Sequence, residues 1–539
     1  MTGGRGRPPL VTLAALAALV GVGGLGACTD DADSTLGRAD SASAPAGTLR
    51  VGIERPHSFD PAEASPADQG ELVVADLLYD GLALTDASGR AVPVLAERWE
   101  ATPDQRSWRF VMAAGARFAD GQPVTAADVK YSLERVAAKG AASLTGVRLD
   151  VVSGYRAFVD GTAAELVGIR VVDDRTVEVA LDAPLAVLPE LLSSPSFGIV
   201  AGRAAGGDAE AGPLAFADAP MGTGPFRFVS ESRDVVRLER MSSDATSVEA
   251  VELHLYDDHD AAYADFVAGR LDLSLVPAAR VDDAAQRFGT EAFAPFGAEV
   301  FYAFNLASPK FADVRFRQAI VKAIDRQSLV GAVYDGIGDP LTGLVPAGLP
   351  GHVVDPCGEA CAFDPAGARA LVAAVFPAGN VPEVQLDYYQ DPGEEAVATI
   401  IETSLEAVGI PAARRPRPFQ EYQQFAVSGE QELFRLGWIG AYPSPEAYVG
   451  PLFSTGSPDN ATGFADQAVQ GLLDSARAEP APDARATQYQ EVERAILAQT
   501  PIVPIVQFRT RAVVGERVEG LRFGVTGTFD VRQVTVGGE

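Results

Sequence analysis

"SWRFVMAAGARFADGQPVTAADVKYSLERVAA" runs from Ser107 to Ala138 and changes its apolar period in the middle. Trp108, Phe110 and Met112 recur at every second position, the period of a half-buried strand. "ADGQP" (119–123) supplies turn chemistry. Thr125 precedes Asp128 by three positions, the spacing of a capping box. Val129, Leu133 and Val136 then form the apolar stripe of a helix. One stretch therefore reads as strand, turn and helix.

The same alternation continues on both sides. "GTLRVGIE" (47–54) has a short strand pattern, and "QGELVVADLLYDGL" (69–82) has helical spacing with Gly81 as its stop. "GIRVVDDRTVEVALDAP" (168–184) reads as a hairpin around Asp173-Asp174. "DVVRLER" and "VEAVELHLYDD" alternate as strands, and "YADFVAGRLDLSLVP" (263–277) reads as a helix stopped at Gly269, then a strand. In "FADVRFRQAIVKAIDRQSLVGAVYDG" Asp313 can cap a first helix and Gly336 ends a second. "EEAVATIIETSLEAVGIP" and "YQEVERAILAQTPIVPIVQF" are again helix followed by strand. Hairpins and crossovers together give a mixed α/β class.

The 539 residues carry 73 acidic and 43 basic side chains, a formal net charge of −30. That field repels polyanions, so nucleic acid is a poor partner. At 47% hydrophobic the chain still builds sizeable cores. The length fits roughly three domains.

"MTGGRGRPPL" is basic, and an uncharged run rich in Gly and Ala follows from Leu10 to Ala27. This is the pattern of an export signal over residues 1–27. "LGAC" (25–28) resembles a bacterial lipobox, whose Cys28 would carry the lipid anchor. Residues 28–46 are polar and small, a flexible tether. Cys357 and Cys361 remain; export favours a disulfide, with a metal pair near His352 as the alternative.

Several segments in order resemble solute-binding protein family 5, the oligopeptide-, dipeptide- and nickel-binding receptors of ABC importers. They are "LYDGL" (78–82), residues 93–136, "GTGPFRFV" (222–229), "RLER" (237–240), residues 311–330, "GLVPAGLPG" (343–351), "GWIGAYPSPEAYVGPLFSTGSPDNATGF" and the closing "IVPIVQF". The resemblance spans about Gly47 to Val536. It implies a bilobal periplasmic-binding-protein-like fold of type II with an extra domain inserted in lobe one. Lobe one would comprise 47–81, 182–299 and 505–539, the insertion 82–181, and lobe two 300–504. The lobes would close on a peptide or peptide-like solute by hinge motion and deliver it to a membrane permease with cytoplasmic ATPase subunits. A monomer without cofactor, on the outer face of the cytoplasmic membrane, is implied.

The resemblance also places "LGWIGAYPSPEAY" (436–448), an aromatic, nearly uncharged and loop-like segment, in the cleft. The main chain of Gly437, Trp438 and Ile439 would pair with ligand backbone, and Trp438 would form an apolar wall. The ordinary alternative for Trp438 is a core aromatic. Peptide receptors hold the ligand ammonium on an Asp three residues after this Trp; here Ala441 stands there. Arg435 falls near a ligand C-terminus in some receptors, and is otherwise a solvated strand-edge charge. Gln69, Gly70, Gln507 and Phe508 are further cleft positions by the same alignment.

Other classes are less well supplied. "HLYDDHD" (254–260) offers two His and three Asp, but it reads as the solvated end of a strand rather than a metal site. No G-x-S-x-G, H-E-x-x-H or phosphate loop is present, so no enzyme is expected. "GTG" (222–224) lacks the setting of a dinucleotide site. The alternatives are a receptor for a metal chelate, opine or sugar, a hydrolase, or a structural surface lipoprotein.

Overall fold

The computed structural model describes residues 47–86, 88–202, 220–241 and 247–538. The export signal, Cys28 and the tether lie outside the described residues.

Two six-stranded sheets organise the chain. In the first, Thr48–Glu54 runs parallel to Ala250–Tyr256 on one side and to Leu273–Leu275 on the other. Val235–Arg240 and Phe226–Glu231 extend one edge, and Ala512–Val514 closes the other. In the second sheet the order is Gly338–Pro340, Ile502–Thr510, Ala294–Phe304, Leu433–Ile439, Val384–Tyr389 and Ala412–Arg417. The last three strands are parallel and the rest antiparallel. The chain enters this sheet at Ala294 and returns through Thr510, where Arg511 alone separates it from Ala512–Val514 in the first.

The opening stretch folds as its periods require. Ser107–Met112 is a strand with Trp108, Phe110 and Met112 buried, inside a four-stranded antiparallel sheet with Ala96–Ala101, Thr176–Ala180 and Ile169–Asp173. The helix Ala126–Ala138 covers it and starts with both halves of the capping box in place. Val129, Leu133 and Val136 are at most 1% exposed, so the predicted stripe is the packed face. Asp313 caps Val314–Ala323 as expected, with Phe316 and Ile320 fully buried.

Two local readings need correction. The helix Gln69–Leu78 stops before Gly81, because Tyr79 is already extended. Gly222 and Gly224 explain the turn: a Cβ at either would fall 1.8 Å from the Leu78 carbonyl oxygen or 2.5 Å from its carbonyl carbon. Thr223 completes the contact by accepting the Asp80 N–H at 3.0 Å. The "GTG" is thus a close approach of two backbones. Second, "LGWIGAYPSPEAY" is loop-like only in its middle, Gly440 to Pro445. It finishes the strand Leu433–Ile439 and begins the helix Glu446–Phe453. Its single charge, Glu446, is 4% exposed and accepts from Arg477 Nη2 at 2.7 Å and from the Tyr489 hydroxyl at 2.8 Å. Low charge here reflects burial.

Candidate functional site

A cavity of about 520 Å³ opens where the strands cross between the two sheets. Its floor is the carboxyl ends of Thr48–Glu54 and Leu273–Leu275 in the first sheet. That is where open α/β sheets hold ligands. Phe296 comes from the outgoing crossing strand, and Phe508 to Arg511 from the returning one. Phe523, Gly527 and Phe529 close it from the C-terminal segment.

Three of the predicted cleft residues meet here: Gln69, Gly70 and Phe508. Asp68 caps the helix by accepting the Glu71 N–H at 3.0 Å, which fixes Gln69 and Gly70 at its first turn. Gly70 is required by space, since a Cβ would lie 2.8 Å from the Glu54 carbonyl oxygen. Gln69 Nε2 donates to Thr510 Oγ1 at 3.2 Å and so ties the helix to the returning strand. Burial, then the Asp68 charge, pushes the neighbouring Glu71 carboxyl up to about 7.

The other predicted residues sit elsewhere. Gln507 spends its side chain on the Ala347 N–H, the Ala347 carbonyl and the Phe296 carbonyl. Trp438 is 3% exposed, and its indole N–H donates to the Ala447 carbonyl at 2.7 Å. Arg148, in the short helical turn Gly146–Val151, covers its ring at 5.2 Å while donating to Asp459. Arg435 is neither solvated nor at the cavity. It is 1% exposed, its Nε donates to Glu394 at 2.9 Å, and its guanidinium lies 5.1 Å from the Tyr389 ring centre. Ala441 is buried beside Tyr442. Gly437 and Ile439 pair with Val300 and Ala298 on one edge. The opposite edge of that strand pairs only at Leu433 and Phe434, so residues 435–439 have no strand partner there among the described residues.

Among the described residues His254 and His259 each lie 3.8 Å from a single carboxylate, Glu252 and Glu54, and belong to no cluster of three metal-ligating groups. Among the described residues, His57, Asp68 and Glu71 bring ligand atoms within 4.8 Å of one another at the cavity's edge, with His57 exposed. Cys357 and Cys361 are joined in a disulfide. A smaller cavity of about 230 Å³ touches Pro443 to Pro445, and its charges are paired, Arg485 with Glu190 and Arg90 with Asp483.

The sequence model for bacterial extracellular solute-binding proteins, family 5 Middle, matches residues 90–460. The chain belongs to this family. Among its relatives, the probable di/tripeptide-binding protein 5 of Pseudomonas aeruginosa (strain UCBPP-PA14) is 27% identical, over 92% of this chain and 96% of that protein. The probable deoxycholate-binding periplasmic protein YgiS of Escherichia coli (strain K12) is 27% identical, over 84% of this chain and 86% of that one. The fold is that of the periplasmic murein tripeptide-binding protein MppA in its unliganded open form, with a TM-score of 0.79 and 23% identity over 92% of this chain and 98% of that one. In this family-5 chain no helix among the described residues is long and apolar enough to cross a membrane.

Phe296, Phe523, Phe529 and Arg511 line the cavity without being among the cleft positions that the resemblance implies. The signal for the last was available: "FRTR" (508–511) ends the returning strand with two guanidiniums, and Arg511 joins that strand to Ala512–Val514 of the first sheet.

Proposed function

We propose that this family-5 chain is an extracytoplasmic receptor of an ABC importer, lipid-anchored through Cys28. It captures a peptide or peptide-like solute in the crossing cavity, closes over it by hinge motion, and passes it to the permease. The observation that carries this reading is the cavity itself. It is built from both crossing strands and lies within the size range of small-molecule sites. A ligand there touches both lobes, so its binding energy favours the closed arrangement. The peptide-binding names of relatives support the solute class.

Ala441 argues that the ligand's amine, if it has one, is held elsewhere, since a desolvated ammonium needs a carboxylate. The four Phe at the cavity also suit an apolar non-peptide solute. Isothermal titration against di-, tri- and longer peptide pools tests the reading. Saturable binding to one pool is the expected result. Binding only to a sugar, chelate or other non-peptide solute removes the peptide part.

A further inference from the structure

Charged groups at the cavity are nearly all spoken for. Arg509 pairs with Asp339 through two contacts, at 2.5 and 2.7 Å. Asp68 and Asp258 cap helices by accepting the Glu71 and Ala261 N–H groups. Glu54 lies 3.8 Å from His259, and Asp260 lies 4.0 Å from Arg280. Arg511 is the exception. Its side chain makes no hydrogen bond and no ion pair with any described residue, and its Nε is fully buried. Burial alone draws its guanidinium down to about 10, with no carboxylate close enough to offset it. Arg511 is half-buried, and it is the one arginine at the cavity without a carboxylate partner among the described residues.

Its position gives the exception a use. Arg511 is the single residue between Ile502–Thr510 in one sheet and Ala512–Val514 in the other, and it lines the cavity. An unpaired charge with part of its guanidinium cut off from water is costly, and an anion that pairs with it relieves the cost. A guanidinium presents a planar fork that matches a carboxylate in two parallel hydrogen bonds. Phe296, Phe508, Phe523 and Phe529 line the same cavity, and a solute that fills it displaces water from their faces and strengthens that pairing.

We propose that Arg511 anchors a carboxylate of the captured solute, so that the receptor selects acids over the corresponding amides and alcohols. The inference rests on the crossing cavity being the solute site.

The test uses 3-phenylpropionate and 3-phenylpropanol as probes, read by titration calorimetry and thermal shift on the wild type, Arg511→Gln and Arg511→Lys. The wild type should bind the acid at least tenfold more tightly than the alcohol. Arg511→Gln should abolish that preference without lowering the melting temperature, since it removes an unpaired charge; Arg511→Lys should keep part of the preference. Equal binding of acid and alcohol, no acid binding by the wild type, or a preference that survives in Arg511→Gln overturns the anchor. The two readings separate cleanly. Binding of neutral, C-amidated peptides with no acid preference removes the anchor and leaves the receptor for peptides. Arg511-dependent acid binding with no peptide binding keeps the anchor and removes the peptide.

Discussion

Arg435→Met tests whether Arg435 holds the fold or the ligand. Arg435 and Glu394 are 1% and 0% exposed and lie 2.9 Å apart. At an effective dielectric of about 20, two unit charges at that distance attract by roughly 6 kcal/mol before desolvation is counted. Removing Arg435 leaves Glu394 with only the Tyr389 hydroxyl at 3.2 Å and a helix-terminal position. The net loss should be about 3–5 kcal/mol, the usual cost of breaking a buried pair on one side. Arg435→Met combined with Glu394→Met should recover most of it, because no bare charge then remains. Hydrogen exchange of the strand Leu433–Ile439 reads the effect locally. The single variant should expose those amides strongly and the double variant weakly. A loss under about 1 kcal/mol together with abolished solute binding would refute the structural role and return Arg435 to the cleft.

Other perturbations follow from the same contacts. Glu446→Ala should destabilise by about 3 kcal/mol or more, because it strips Arg477 and Tyr489 of a shared buried partner; a urea series on the variant checks this. Thr125→Ala should cost about 1 kcal/mol by removing the capping box, seen as faster exchange in the first turn of Ala126–Ala138. Glu71 binds its proton more tightly folded than unfolded, so its contribution favours folding below about pH 4.5 and is lost as pH rises through about 7. Glu71→Gln should therefore flatten the fall in stability between those pH values by about 1–3 kcal/mol, measured by denaturant melts; an unchanged slope refutes it. Cys357→Ser should cost about 2 kcal/mol at most, because the closed loop is so short.

The fold was legible where local periods and tertiary burial agree. Trp108, Phe110 and Met112 alternate in sequence and are buried in the sheet, and Thr125 with Asp128 marks a helix start that needs no distant partner. The site was less legible because its walls come from distant segments. Gln69, Gly70 and Phe508 were reached by alignment, whereas Phe296 and Phe529 meet them only after two strand crossings. Trp438 shows the limit in the other direction. An aromatic among Gly and Pro reads equally as cleft or core, and only the Ala447 carbonyl that takes its N–H distinguishes its surroundings. Arg435 misled for a physical reason. A charge in a sequence reads as solvated, and a pairing partner 41 residues away, Glu394, is invisible along the chain.

Capture of a small solute in the crossing cavity can be read from the protein as its own cells make it. Native mass spectrometry of protein purified from those cells, followed by release and identification of what it carries, makes that reading. One carboxylate-bearing small molecule per chain should be retained by the wild type and absent from Arg511→Gln. A released solute without an acidic group, or one held equally by both proteins, would contradict it.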